Sequence, residues 1–176
     1  KVNGKDVLVA GLSNLSRSYR AVLVDELKKL GELKASGNRS VLLLHEGVDK
    51  FLHYEDAFEV YMTEIPTNFG YVAMGHLHGR IRASFGKGEL AYPGSSEIIS
   101  KTEIAGWKKQ GKGFYIVDLE DDGTVVREVN LECIRPQLEA KLNYAHLGSE
   151  LEMLVNEIKA LKEPPLVHVR VEGKDV

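Results

Sequence analysis

Two histidines one residue apart, His76 and His78, stand directly behind the apolar run Tyr71-Val72-Ala73-Met74 and Gly75, with Gly79 following them. Imidazole is a good neutral donor for transition ions, and two imidazoles on one face make half of a metal site. If the chain stays extended through Gly75, the two-residue repeat of a strand points His76 and His78 to one side and Leu77 to the other. A bare HxH reads equally well as two polar loop residues, so the surrounding stretches decide.

Two other stretches repeat the design. Ser40 to Gly47, SVLLLHEG, runs four aliphatics into His45, Glu46 and Gly47, and Ala91 to Glu97, AYPGSSE, places a Pro93-Gly94 turn ahead of two hydroxyls and a carboxylate. Short apolar runs bounded by glycine are the pattern of buried strands. Three segments therefore deliver polar side chains at strand ends, which is where α/β folds gather their ligands.

LLLHEG, GYVAMGHLH and YPGSSE, in that order and followed by KGFYIVDL and IRP, resemble the second half of the catalytic domain of the Mre11/SbcD nuclease family of calcineurin-like metallophosphoesterases. The similarity runs from about Val41 to about Leu142. It implies an α/β fold of the metallophosphoesterase type, a β-sandwich flanked by helices, partial here because N-terminal strands and motifs are missing. It also implies two domains, residues 1–142 from the nuclease domain and residues 143–176 beginning a small capping domain that presents DNA.

By the same resemblance, His45 and His76 match two histidines that hold one metal ion, and His78 matches a histidine that holds the other. The family's DxH, GDxxD and GNHD motifs occur nowhere in the chain, so no catalytic residue is expected beyond the metal ligands. The implied function is that of a fragment of a Mn2+-dependent DNA double-strand-break repair nuclease, with endo- and exonuclease action on DNA phosphodiesters. The complete protein would use two Mn2+ ions. Three histidines bring no negative charge to offset two dications, so this chain is expected to hold at most one ion weakly and to be inactive alone. Implied partners are DNA and a Rad50-type ATPase; the homodimer of the complete protein is not expected here, because its contact lies in a region this chain does not match. Two other readings stay open: an inactive scaffold for the Rad50-type ATPase, and a metallophosphoesterase acting on another phosphoester.

Composition narrows the choices. With 176 residues, 43% of them hydrophobic, the chain falls in the globular class, and a net charge of -3 excludes a generally basic body that grips nucleic acid by charge alone. DNA contact would be local. Arg80, just past the histidines, is one candidate for a phosphate contact. The stretch KTEIAGWKKQGK, with Lys101, Lys108, Lys109 and Lys112 around Trp107, is the other, reading equally as a solvated loop pinned by a buried tryptophan. The single cysteine, Cys133, excludes an intrachain disulfide, reads as a packing residue and fits a reducing intracellular location, cytoplasmic in a prokaryote. No apolar run approaches the roughly 20 residues of a membrane span.

The remaining elements must position these groups. Asp6 to Leu12 reads as an opening strand, and residues 13–35 as an amphipathic helix with Leu23, Leu27 and Leu30 on one stripe, ended by Gly37-Asn38. A second helix is expected around Tyr54 to Met62, closed by Pro66. His53 reads as a surface residue, and Glu55, Asp56 and Glu59 matter only if the sheet brings them near the histidines. Gly86-Lys87-Gly88 and Asp121-Asp122-Gly123 are hairpin turns flanked by strands at 81–85, 89–92, 113–119 and 124–132. The last of these strands form a second sheet against the first. A helix at 148–162 and a strand at 166–171 follow, with His146 and His168 read as structural or exposed.

Overall fold

A computed structural model describes residues 4–33, 38–52, 54 and 57–174. His53, Glu55, Asp56, Gly37 and the expected end of the first helix at Ala35 lie outside the described residues. The chain divides into two compact units, Lys1–Ser95 with Gly113–Val129, and Ser96–Lys112 with Asn130–Val176.

In the first unit, β1 (Leu8–Gly11), β2 (Ser40–Leu44), β3 (Tyr71–Met74) and β5 (Gly88–Tyr92) run parallel, and β4 (Ile81–Phe85) closes the sheet antiparallel to β5. The strand order is β1-β2-β3-β5-β4. Alternation along these strands sorts their side chains onto two faces. Leu42, Leu44, Val72, Met74, Leu90 and Tyr92 face a cluster that includes Leu23 and Leu27 of helix α1 (Arg20–Gly31). Fully burying each of those two leucines contributes about 1.5–3 kcal/mol towards holding this three-turn helix on the sheet. Val41, Tyr71, Ala73 and Ala91 face the other way, onto Tyr115, Val117, Leu119 and Val126 of β6 (Gly113–Leu119) and β7 (Thr124–Asn130), which pair with each other. The five-stranded sheet thus has the β6-β7 pair on one face and α1 on the other.

Two helical expectations need correction. α1 starts at Arg20, after a 3-10 turn at Arg17–Tyr19, and not at Ser13. The backbone N–H of Leu15 donates to the Glu46 carboxylate at 2.9 Å, tying this segment to the end of β2. No helix covers the described part of residues 54–62: Phe58 and Val60 are buried around a half-buried Glu59, Val60 bridges Val48, and a 3-10 turn begins only at Met62. That is a period of two.

The second unit is built on a parallel pair, β8 (Gln137–Asn143) and β9 (Leu166–Glu172), joined through helix α3 (Leu147–Lys159). Leu142 and Leu154 are buried where α3 meets β8. The expected boundary between residues 142 and 143 falls within β8. Helix α2 (Ile104–Gln110) occupies the stretch expected to be a basic loop, following a 3-10 turn at Lys101–Glu103 that Ser100 and Glu103 cap reciprocally. Ile104 is buried with Ile98 and Ile134, and Trp107 packs against them. Cys133, read as a packing residue, is exposed instead, because the core position is taken by its neighbour Ile134. Among the described residues, no helix is long and apolar enough to cross a membrane.

Candidate functional site

The parallel register aligns Leu44 with Met74, so His45 and Gly75 are the first residues past the carboxyl ends of neighbouring strands. The N–H of Gly75 donates to the carbonyl of Leu44 at 2.8 Å, carrying the pairing one step beyond the strands. Gly75 leaves room for the ring there: a Cβ would sit 2.5 Å from His45 Nδ1. The imidazole of His45 fills that space and meets the ring of His76 edge to face, centroids 5.7 Å apart and planes at 82°. Both histidines are exposed.

Beyond Met74 the extended geometry stops. His76 has φ +89°, the only non-glycine residue with positive φ among those described, so the simple alternation that would set His76 and His78 side by side does not apply. His78 is exposed, two residues beyond this reversal.

The backbone on the other side of His45 is held firmly. Glu46 is fully buried, an expensive place for a carboxylate. Its Oε1 accepts the Leu15 N–H at 2.9 Å and its Oε2 accepts the Asn14 amide at 3.0 Å. The same Asn14 nitrogen donates to the His45 carbonyl at 2.8 Å, and the hydroxyl of Tyr92, at the end of β5, donates to the Glu46 carbonyl at 2.8 Å. Burial pushes the Glu46 carboxyl up to about 7; the Leu15 N–H opposes this, the nearby charge of Glu59 adds to it, and Asn14 opposes it. Sequence reading passed over Glu46, Asn14 and Tyr92. The available signal was a glutamate wedged between His45 and Gly47 behind four aliphatics.

Metal–nitrogen bonds of about 2.1 Å place two imidazoles on one ion with centroids roughly 5–6 Å apart, which His45 and His76 match. Donor type and centroid spacing alone are thus those of two imidazoles on one ion. The set stops there: among the described residues, no three of histidine, cysteine, aspartate and glutamate are grouped to hold an ion.

The expected DNA contacts are dispersed. Arg80 is buried, with Nη2 donating to the Val129 carbonyl at 3.0 Å, Nη1 3.4 Å from Glu128, and the guanidinium over Tyr115, so it braces β7 against the exit of β3. Lys112 is also buried and paired with Glu103. Lys101, Lys108 and Lys109 are exposed. Lys101 lines a cavity of about 400 Å³ with Glu139, Lys141, His168 and Arg170, whereas Lys108 lines a second, of about 630 Å³, between β8 and α3. His168 shares a 2.9 Å hydrogen bond with Gln137, and His146 is exposed.

No protein-family model matches the chain. Individual proteins do. A DNA double-strand break repair protein Mre11 from Thermoplasma acidophilum is 35% identical over 176 residues, 98% of this chain and 46% of that protein. This chain is homologous to the Mre11 DNA repair proteins. The Mre11 of Methanocaldococcus jannaschii is 32% identical, covering 97% of this chain and 46% of its own length, and that of Saccharolobus solfataricus is 31% identical, covering 97% and 45%. The chain spans about half the length of these Mre11 relatives. The similarity embraces both compact units, so the strand exits bearing His45, His76 and Tyr92 all lie within it.

Proposed function

We propose that this chain is the histidine-bearing part of an Mre11-type, Mn2+-dependent nuclease that repairs DNA double-strand breaks inside the cell by hydrolysing phosphodiesters. The observation that carries the reading is the His45–His76 pair at the ends of two parallel strands, in a chain homologous to Mre11 over nearly its whole length. His45 and His76 would offer neutral nitrogens to one ion, and His78 to a second, in a β-sandwich of the metallophosphoesterase type. Bound dications would polarise a phosphate and lower the pKa of water. The described residues do not supply the acidic ligands this needs, so on this reading the chain alone does not cleave DNA. Lys101, Lys108 and Lys109 remain candidates for contacts with the DNA backbone, and residues 143–176 for the start of a capping domain. Arg80 and Lys112 serve DNA binding only through the elements they brace. A Rad50-type ATPase is the expected protein partner.

The test is DNA degradation with Mn2+ by this chain and by a longer polypeptide that adds the aspartate-bearing motifs of the family. Cleavage should require the longer form and fall at least 100-fold in its His45→Ala and His76→Ala variants. Robust cleavage by the short chain, abolished by His76→Ala, would overturn the two-part reading while keeping the histidines. A second reading, a binding scaffold for the ATPase, rests on the missing DxH, GDxxD and GNHD motifs. On that reading the longer form binds the ATPase with no nuclease activity.

A further inference from the structure

We propose that Glu46 and Asn14 form a clasp that positions the His45 imidazole against His76. The inference rests on the reading of His45 and His76 as a donor pair and assigns the residues that keep them paired.

Both amide hydrogens of Asn14 are used. One goes to the His45 carbonyl at 2.8 Å and the other to Glu46 Oε2 at 3.0 Å. Both partners are acceptors, which fixes the orientation of the amide. Glu46 in turn holds the Leu15 N–H through Oε1, so both carboxylate oxygens accept and the side chain offers nothing back. A carboxylate satisfies this pattern and a carboxamide does not: in Glu46→Gln one of the two positions would present N–H to N–H. Glu46 therefore does more than fill space, since a residue kept for packing alone would be apolar here. The Tyr92 hydroxyl fixes the Glu46 carbonyl from the neighbouring strand end. The peptide that carries His45 is thus tied to the segment after β1 and to the end of β5, which sets the point from which the ring reaches over Gly75.

The bonds of Asn14 and Glu46 go to the backbone of His45 and Leu15 and to each other, so they act through His45 as positioning residues. Their removal should leave the sheet intact and let the imidazole wander. Two readouts separate this from a general loss of structure. Proton NMR of the chain reports the ring-to-ring Overhauser contact between His45 and His76, and titration with Ni2+ alone reports two-imidazole capture by broadening both rings' signals together. Asn14→Ala should reduce the ring-to-ring contact at least threefold and weaken Ni2+ capture about tenfold, with the aromatic signals of Tyr71 and Tyr115 unshifted. Glu46→Gln should give a smaller loss of the same kind, and the double variant should lose no more than Asn14→Ala, because the two residues are one device. An undiminished ring-to-ring contact in Asn14→Ala and Glu46→Gln overturns the clasp. Failure of the donor-pair reading looks different: Ni2+ capture is then unaffected by His45→Ala or His76→Ala, while the ring contact still responds to Asn14.

Discussion

Replacing Gly75 with alanine should uncouple His45 from His76 without unfolding the sheet. Gly75 is outside the left-handed region, so alanine can adopt its backbone, and its N–H still reaches the Leu44 carbonyl. The added methyl would lie 2.5 Å from Nδ1, 3.1 Å from Cε1 and 3.2 Å from Cγ of His45. Ordinary contact between such atoms is near 3.5 Å, so the ring must retreat by roughly 1 Å. His45 is exposed and can do so by leaving its rotamer, at about 0.5–1.5 kcal/mol, or by swinging into solvent at less. For a chain of this length, 1 kcal/mol lowers Tm by about 2–4 °C. The metal consequence is larger, because a displacement of that size takes one of two imidazoles out of reach of a shared ion, and a loss of about 1.4 kcal/mol is tenfold in affinity. Calorimetric titration with Ni2+ should therefore show at least a tenfold weaker site in Gly75→Ala beside a Tm within 4 °C of the parent. Gly79→Ala is the control, since nothing lies within 4 Å of its would-be Cβ. Affinity within twofold of the parent in Gly75→Ala would refute the claim that the His45 ring is held over Gly75 for its partner's sake.

Three other outcomes are expected. His76→Gly should be about 1 kcal/mol more stable to urea than His76→Ala, because only glycine accepts φ +89° without strain; equal midpoints would contradict a left-handed His76. Lys112→Ala removes the buried ammonium that pairs with the half-buried Glu103, which keeps its bond from the Ser100 N–H, and should destabilise the second unit by about 1–3 kcal/mol, whereas Lys108→Ala and Lys109→Ala should each stay within about 0.5 kcal/mol in the same denaturation assay. Burial, reinforced by Glu89, pushes the Tyr71 hydroxyl up to about 12 from 10.0. A folded value above the unfolded one means that stability is intact below pH 10 and is lost as pH rises through about 12. Urea midpoints between pH 8 and 12 should fall less steeply for Tyr71→Phe than for the parent.

The strands that end at the histidines were legible because each is a short aliphatic run closed by glycine, and both hairpins because glycine marks the turn. The resemblance to Mre11, drawn from LLLHEG, GYVAMGHLH and YPGSSE, is what the relatives bear out. β8 was missed because Glu139, Ala140, Lys141 and Leu142 are strong helix formers, and pairing with β9 overrides that preference. The lysines of α2 give it the composition of a loop, although Ser100-x-x-Glu103 announces a helix start. Sequence spacing did not reveal that Arg80 and Lys112 are buried braces, since burial of a cation depends on distant partners such as Val129 and Glu103. The burial of Glu46 was hidden for the same reason: its donors come from Asn14 and Leu15, some thirty residues earlier.

The pairing of β2 with β3 makes the histidine dyad a matter of register. One strand ends in leucine and histidine, its parallel neighbour in methionine, glycine and histidine, and the backbone of that glycine is the seat for the first ring. To that recipe belongs the segment that holds the first histidine's peptide from outside the pair. Any two adjacent parallel strands whose carboxyl ends are level could receive it as a graft, provided the second accepts a left-handed residue immediately after its glycine. A shift of one position along the first strand would turn its ring to the opposite face, and a shift of two would carry it off the glycine.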